Sequence, residues 1–190
     1  MKAAPDSTPD GIDVMTDQNK TSFYGTYSQV LLQPGDIIFR FCNNTEAKYS
    51  DCWTNKETLK LIFYAYHERN AENPFGNKNI QARAQVFNVL AVAKTWSSLE
   101  YLLAAEVKKE LIAYKGLIEK QSFFQDVDID AELRKVALRG GGEQYVIPRI
   151  KHYTRERNLI AIHQYLRDIE IVKFTESSWY KRLVTGGYFL

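Results

Sequence analysis

The sequence predicts a mainly α fold: a four- or five-helix antiparallel bundle with an extended N-terminal arm and at most one short strand or hairpin. Three observations carry this expectation. Apolar residues recur three and four positions apart from residue 54 onward. Two S/T-x-x-E capping boxes mark helix starts, Thr54/Glu57 and Ser97/Glu100. Only one run, Ile37-Ile38-Phe39-Arg40-Phe41, has the β-branched and aromatic character of a strand.

Along the chain, residues 1–25 are polar and carry Pro5, Pro9, Gly11 and four Asp, which predicts an arm without its own core. Residues 26–180 follow as one helical domain, and 181–190 as a C-terminal tail that ends apolar. Pro34-Gly35 marks a turn before the strand candidate. The first helix starts at the Thr54 box and presents Leu59, Ile62, Phe63 and Tyr66 at helical spacing, and Asn73-Pro74-Phe75-Gly76-Asn77 ends it. A second helix spans about 79–95 and is apolar almost all round, as a central buried helix is. A third starts at the Ser97 box, with Leu99, Leu103, Val107, Leu111, Tyr114 and Ile118 as its stripe. Asp130 caps a short fourth helix that stops before Gly140-Gly141-Gly142. Pro148 suits the first turn of a fifth, whose seam is Leu159, Ile162, Leu166 and Ile169.

Composition narrows the classes of function. The 190 residues are 45% hydrophobic and 25% charged, enough for one domain with a sizeable core. The net charge of +2 carries no overall claim about nucleic acid or membrane. No run approaches the roughly 18 apolar residues of a membrane span, and the first residues lack the apolar stretch of a signal peptide. Charge is uneven, however. Residues 134–157 hold seven Lys/Arg against two Asp/Glu, a net of +5. That segment makes Arg139, Arg149, Lys151 and Arg155 the candidate anion-binding residues, for phosphate or nucleic acid. The adjacent glycines are able to expose N–H groups to a phosphate, but no G-x-x-x-x-G-K pattern follows.

Cys42 and Cys52 are the only cysteines and flank a polar loop, so they are expected to form a disulfide, in an oxidising compartment such as a periplasm, an organelle lumen or the outside of the cell. Their spacing resembles half of the twin C-x9-C motif of mitochondrial intermembrane-space proteins, a family that needs two such pairs where this chain has one. Gln33 to Phe39 resembles the opening strand of NlpC/P60-type peptidases, but no Ser-His-x-Gly segment follows. His152, Glu156, His163 and Glu170 share a helical face without the Glu-x-x-His turn of a carboxylate-bridged metal site. Asp126, Asp128 and Asp130 imitate an EF-hand, but Ala131 and Ala137 replace its Gly and Glu. Asn19-Lys20-Thr21 and Asn43-Asn44-Thr45 fit the glycosylation pattern.

No metal, cofactor or catalytic constellation is legible. The expectation is a non-catalytic interaction or structural protein, a subunit of a larger assembly whose partner is another protein. Tyr24, Tyr27, Tyr188 and Phe189 are its candidate anchors, because aromatic side chains carry much of interface energy. The alternatives are phosphate or nucleic-acid binding through 134–157, and an enzyme whose site the sequence does not locate.

Overall fold

The computed structural model describes residues 15, 17–46, 49–94, 96–121, 138–148 and 159–185. It replaces the helical bundle with a seven-stranded antiparallel sheet carrying helices. A short helix α1 (Asp17–Thr21) leads into β1 (Phe23–Leu32), then β2 (Ile37–Cys42) and β3 (Cys52–Thr54). Two helices follow, α2 (Lys56–Glu72) and α3 (Lys78–Leu90), then β4 (Tyr101–Val107), β5 (Leu111–Ile118) and β6 (Glu143–Val146). The chain closes with α4 (Leu159–Tyr165), β7 (Leu166–Lys173), a 3-10 turn (Phe174–Glu176) and α5 (Ser178–Thr185). The strand order is β1-β5-β6-β3-β2-β4-β7, and every pairing is antiparallel.

That order forces the sheet to curl. β4 and β5 lie four strands apart, roughly 19 Å in a flat sheet at about 4.8 Å per strand. Yet only Lys108, Lys109 and Glu110 join them, and the four Cα steps from Val107 to Leu111 reach about 15 Å at most. The β1–β2 link is similarly short. It is tied across the gap by Gly35 N–H donating to Val107 O (2.8 Å) and Val107 N–H donating to Asp36 O (2.9 Å).

The two faces of the curled sheet build two cores. The convex face presents Phe39, Phe41, Leu102 and Ala104 to α2, α3 and α5, which contribute Ile62, Tyr66, Val86, Phe87 and Leu183. The concave face gathers Leu32, Ile38, Leu103, Val107, Leu111 and Ala113 around Trp53, Tyr49, Ile162 and Leu166. Beside the helices, Met15 and Phe23 cover Val146 in a smaller cluster. None of the described helices is long and apolar enough to cross a membrane.

This architecture explains where the helical reading failed. The expected third helix is the pair β4 and β5. Leu102 and Ala104 enter one core while Leu103, Ala105 and Val107 enter the other. A strand buried on both faces reads as a near-continuous apolar run, which periodicity cannot separate from a buried helix. The Ser97 box fails with it: Ser97 Oγ donates instead to Asn43 Oδ1 (2.5 Å), and Leu99 takes a left-handed φ of 49°. Among the described residues, the expected fifth helix is present as α4. Its seam breaks at Leu166, where the β-branched alternation of Leu166–Lys173 takes over as an edge strand.

The first two helices stand, although the second ends at Leu90 and not near residue 95. α2 starts one residue later than the Thr54 box implies, because Asn55 Oδ1 accepts from Thr58 N–H (2.9 Å) and acts as the cap. α3 is capped by Asn77 and ends at Ala91 in the left-handed conformation. The strand expected at Ile37–Phe41 is β2. The helix expected from Asp130 lies outside the described residues.

Candidate functional site

Two places on this fold have the chemistry of a functional site: a small cavity where α3 meets the sheet, and the free edge of β1.

The cavity has a volume of about 80 Å³. Its walls are mostly apolar, with Phe39 and Phe41 from β2 and Leu90 from the end of α3; Arg40, Thr54 and Gln144 supply polar atoms. Behind Gln144 runs a dense polar belt. The Glu143 carbonyl accepts from the hydroxyls of Thr54 and Thr58, both at 2.8 Å. The Glu143 carboxylate accepts from Asn55 Nδ2 (2.7 Å) and from Lys115 Nζ (3.1 Å). That hydrogen bond holds the Lys115 ammonium above its usual pKa, against a smaller opposing effect of burial. Gln144 Nε2 donates to both the carbonyl and the hydroxyl of Ser22 at 2.9 Å. These bonds pin β6 to the start of α2 and to the start of β1.

The glycines before β6 make this approach possible. A Cβ on Gly142 would sit 2.7 Å from Thr58 Cγ2, too close for any real side chain. Gly140 and Gly141 have positive φ, 67° and 83°. Their N–H groups donate to Asn88 O and Ile118 O, both at 3.0 Å, so these amides are engaged within the fold.

Arg40 is the other polar group at the cavity. Its Nη1 donates to Cys52 O (2.7 Å), where β2 and β3 pair only at Phe39 and Thr54. Its Nε is buried and has no hydrogen-bond partner among the described residues. Burial lowers the pKa of its guanidinium, and the neighbouring Cys52, Cys42 and Asp51 oppose that shift.

No disulfide joins Cys42 and Cys52, which corrects the expected bond. The register gives the reason. With Phe39 opposite Thr54, Cys52 comes level with Phe41, one position away from Cys42. Adjacent positions project to opposite faces of a sheet, so the two sulfurs point apart.

The remaining sequence candidates scatter. Tyr24 and Tyr27 both lie on β1, exposed to 60% and 38%. Tyr188 and Phe189 lie outside the described residues. So do Arg149, Lys151 and Arg155, and with them His152 and Glu156. Arg139 is exposed, and its backbone N–H donates to Asn88 Oδ1 (3.1 Å). His163 stands edge-on to Tyr49, with ring centroids 6.1 Å apart. The Tyr49 hydroxyl donates to Asp168 (2.8 Å), and burial together with that bond pushes its pKa far up. Among the described residues, no group of His, Cys, Asp and Glu could hold a metal ion. Sequence reading passed over Gln144. The available signal was the Gly140-Gly141-Gly142 run, which was read for its own amides and not for the residue it positions.

The β1 edge is the second place. Among the described residues, β1 closes one end of the sheet and β5 is its only partner strand. Its ten residues, FYGTYSQVLL, include no charge. Leu31 is 43% exposed, and Leu117 on neighbouring β5 is exposed beside Tyr24.

No protein-family model matches the chain, and no curated protein does. Among solved structures, the chain is similar to one described as Rhs1-CT in complex with its cognate immunity protein RhsI1. The two are 19% identical with a TM-score of 0.48, over 80% of this chain and 83% of that one. It is also similar to a structure described as Tne2 in complex with Tni2, at 8% identity and a TM-score of 0.43, over 78% of this chain and 92% of that one. Both are structures of two-protein complexes.

Proposed function

We propose that this chain acts by binding another protein, as a non-catalytic component of a complex, and that the β1 edge is the contact. The observation that carries this reading is the ten-residue edge strand with no charged residue and with Tyr24, Tyr27 and Leu31 exposed along it. Natural edge strands are usually blunted by charge, proline or cover, so an edge without them needs a partner. Tyr24 and Tyr27 are the proposed anchors, with Tyr188 and Phe189 as further contacts from the C-terminal end.

The test is a photo-crosslinking residue placed at Tyr27, and separately at Ile169 on the opposite edge, in the cell of origin. A discrete crosslinked protein from Tyr27 and none from Ile169 is the expected result. Equal or absent crosslinking from both would overturn the reading.

A second reading is small-molecule binding, with whatever chemistry accompanies it, in the cavity beside Gln144. The buried and unpartnered Arg40 Nε favours it, because an orphaned buried donor is costly unless something accepts from it. A small molecule with an acceptor atom should raise the melting temperature of the wild type, and less that of Gln144→Leu. A third surface, Arg139 with Arg149, Lys151 and Arg155, is proposed for loose contact with polyanions.

A further inference from the structure

Among the described residues, β1 uses one of its two hydrogen-bonding sides, on β5. The register slips between Tyr24 and Tyr27, where Gly25 has a φ of 71°, and then runs without a break from Tyr27 to Leu32. Pro34 follows shortly and cannot donate to a ladder. A regular edge therefore spans Tyr27 to Leu32. Within it, Tyr27, Gln29 and Leu31 share one face of the sheet, and all three are exposed.

The placement of these three residues is self-complementary. When two copies of one edge strand pair antiparallel about a two-fold axis normal to the sheet, facing residues share a face of the joined sheet. The axis must then pass between the two copies of one residue. Gln29 stands midway between Tyr27 and Leu31. An axis at Gln29 sets Tyr27 against Leu31 of the second copy, and Leu31 against its Tyr27. Both exposed apolar residues are covered at once, as aromatic–aliphatic cross-strand pairs. On the other face, Ser28 meets Val30 of the second copy. Gln29 meets Gln29, and the two amides can bond to each other.

Charge decides which edge can do this. β1 has no charged residue, so nothing in it repels its own copy. Paired about its centre, β7 fails the same construction. An axis at Ile169 sets Asp168 against Glu170; an axis at Glu170 sets Glu170 against itself and Arg167 against Lys173.

We propose that a second copy of this chain occupies the β1 edge, pairing antiparallel about Gln29 so that the two sheets join into one. This deepens the protein-binding reading, on which it rests, by naming the partner and the register. The experiment is sedimentation equilibrium of the full chain, with cysteine crosslinking as an independent measure of register. The wild type is expected to be a dimer at micromolar concentration. Gln29→Lys places two like charges at the axis and is expected to raise the dissociation constant at least about tenfold, with an unchanged circular dichroism spectrum. Facing Cα atoms in such a pair stand about 4.5–5.5 Å apart, within disulfide reach. Gln29→Cys is therefore expected to give a covalent dimer on oxidation, whereas Leu31→Cys, four positions from its own copy, gives none. A wild type that stays monomeric up to about 100 μM overturns the proposal. So does a dimer that Gln29→Lys leaves intact, since its interface then lies elsewhere. A monomer whose Tyr27 still crosslinks to a different protein removes the second copy and keeps the protein-binding reading. Absence of any crosslinked protein removes both.

Discussion

The two edges of this sheet are built on opposite plans. β7 carries Arg167, Asp168, Glu170 and Lys173. Three of these charges are tied down locally: Arg167 pairs with Glu106, Asp168 accepts from Tyr49, and Glu170 accepts from the backbone and hydroxyl of Ser178. Ile169 is 53% exposed there, but charged neighbours flank it on either side. β1 is longer, has no charge, and exposes aromatic and aliphatic side chains along its length. Both edges belong to one sheet with one pair of cores. The difference between them is therefore a matter of what each edge meets, and not of what each contributes to the interior. Charge disfavours a further strand on β7, and among the described residues no charge on β1 does so.

The comparison is most sharply tested where edge residues differ in burial. Leu166 on β7 is fully buried in the concave core, and Leu166→Ala should lower stability by about 2–5 kcal/mol in urea unfolding. Tyr24→Ala on β1 should change the monomer's stability by less than about 0.5 kcal/mol, because its side chain stands in solvent. Equal losses would mean that the β1 edge is integral to the core and is not a contact surface.

A middle-sized effect comes from the polar ties of β7. Tyr49→Phe removes the hydrogen bond to Asp168 and should cost about 1–3 kcal/mol at neutral pH. The Tyr49 pKa is raised in the folded state, so its contribution is complete below the unfolded value near 10 and is lost as pH rises beyond it. The gap between Tyr49→Phe and the wild type should therefore narrow above about pH 10 in unfolding measured against pH. A constant gap would show that the hydroxyl is not held by the carboxylate.

The smallest effect concerns the basic stretch of residues 134–157. Replacing Arg139, Arg149, Lys151 and Arg155 by Ala should weaken retention on heparin modestly. In the wild type, that retention should disappear above about 0.2 M salt. Retention unchanged by the four substitutions would remove the polyanion surface and leave the β1 edge as the main contact.

Much of the local structure was legible in the sequence, and the legible part follows a rule. α2 and α3 have one solvated side or a strong cap, and β2 follows a Pro-Gly turn, so local chemistry marks each of them. β4, β5 and β7 were read as helix. Leu103, Val107, Leu111, Tyr114 and Ile118 are three or four apart, yet across a three-residue turn the first three enter the concave core, Tyr114 packs on the Val146 cluster and Ile118 enters the core under the helices. A spacing that fits one helical face also fits a strand buried on both faces, and only the second core distinguishes them. The cavity was illegible for a related reason. Arg40, Thr54 and Gln144 are up to about a hundred residues apart in the chain, and only strand order sets them side by side.

The sequence by itself determined the short-range features: the turn at Pro34-Gly35, the helices before and after Asn73–Asn77, and the basic stretch around Arg139–Arg157. Each depends on residues within a few positions of one another, where backbone sterics, capping and charge act directly. The tertiary structure alone decided that the Leu/Ile seams become strands, that Cys42 and Cys52 point to opposite faces, and that an uncharged strand is left at an edge. Those outcomes depend on which strands lie side by side. Strand pairing joins segments far apart in the chain, and its register is set by the faces they bury together and not by any neighbour in sequence.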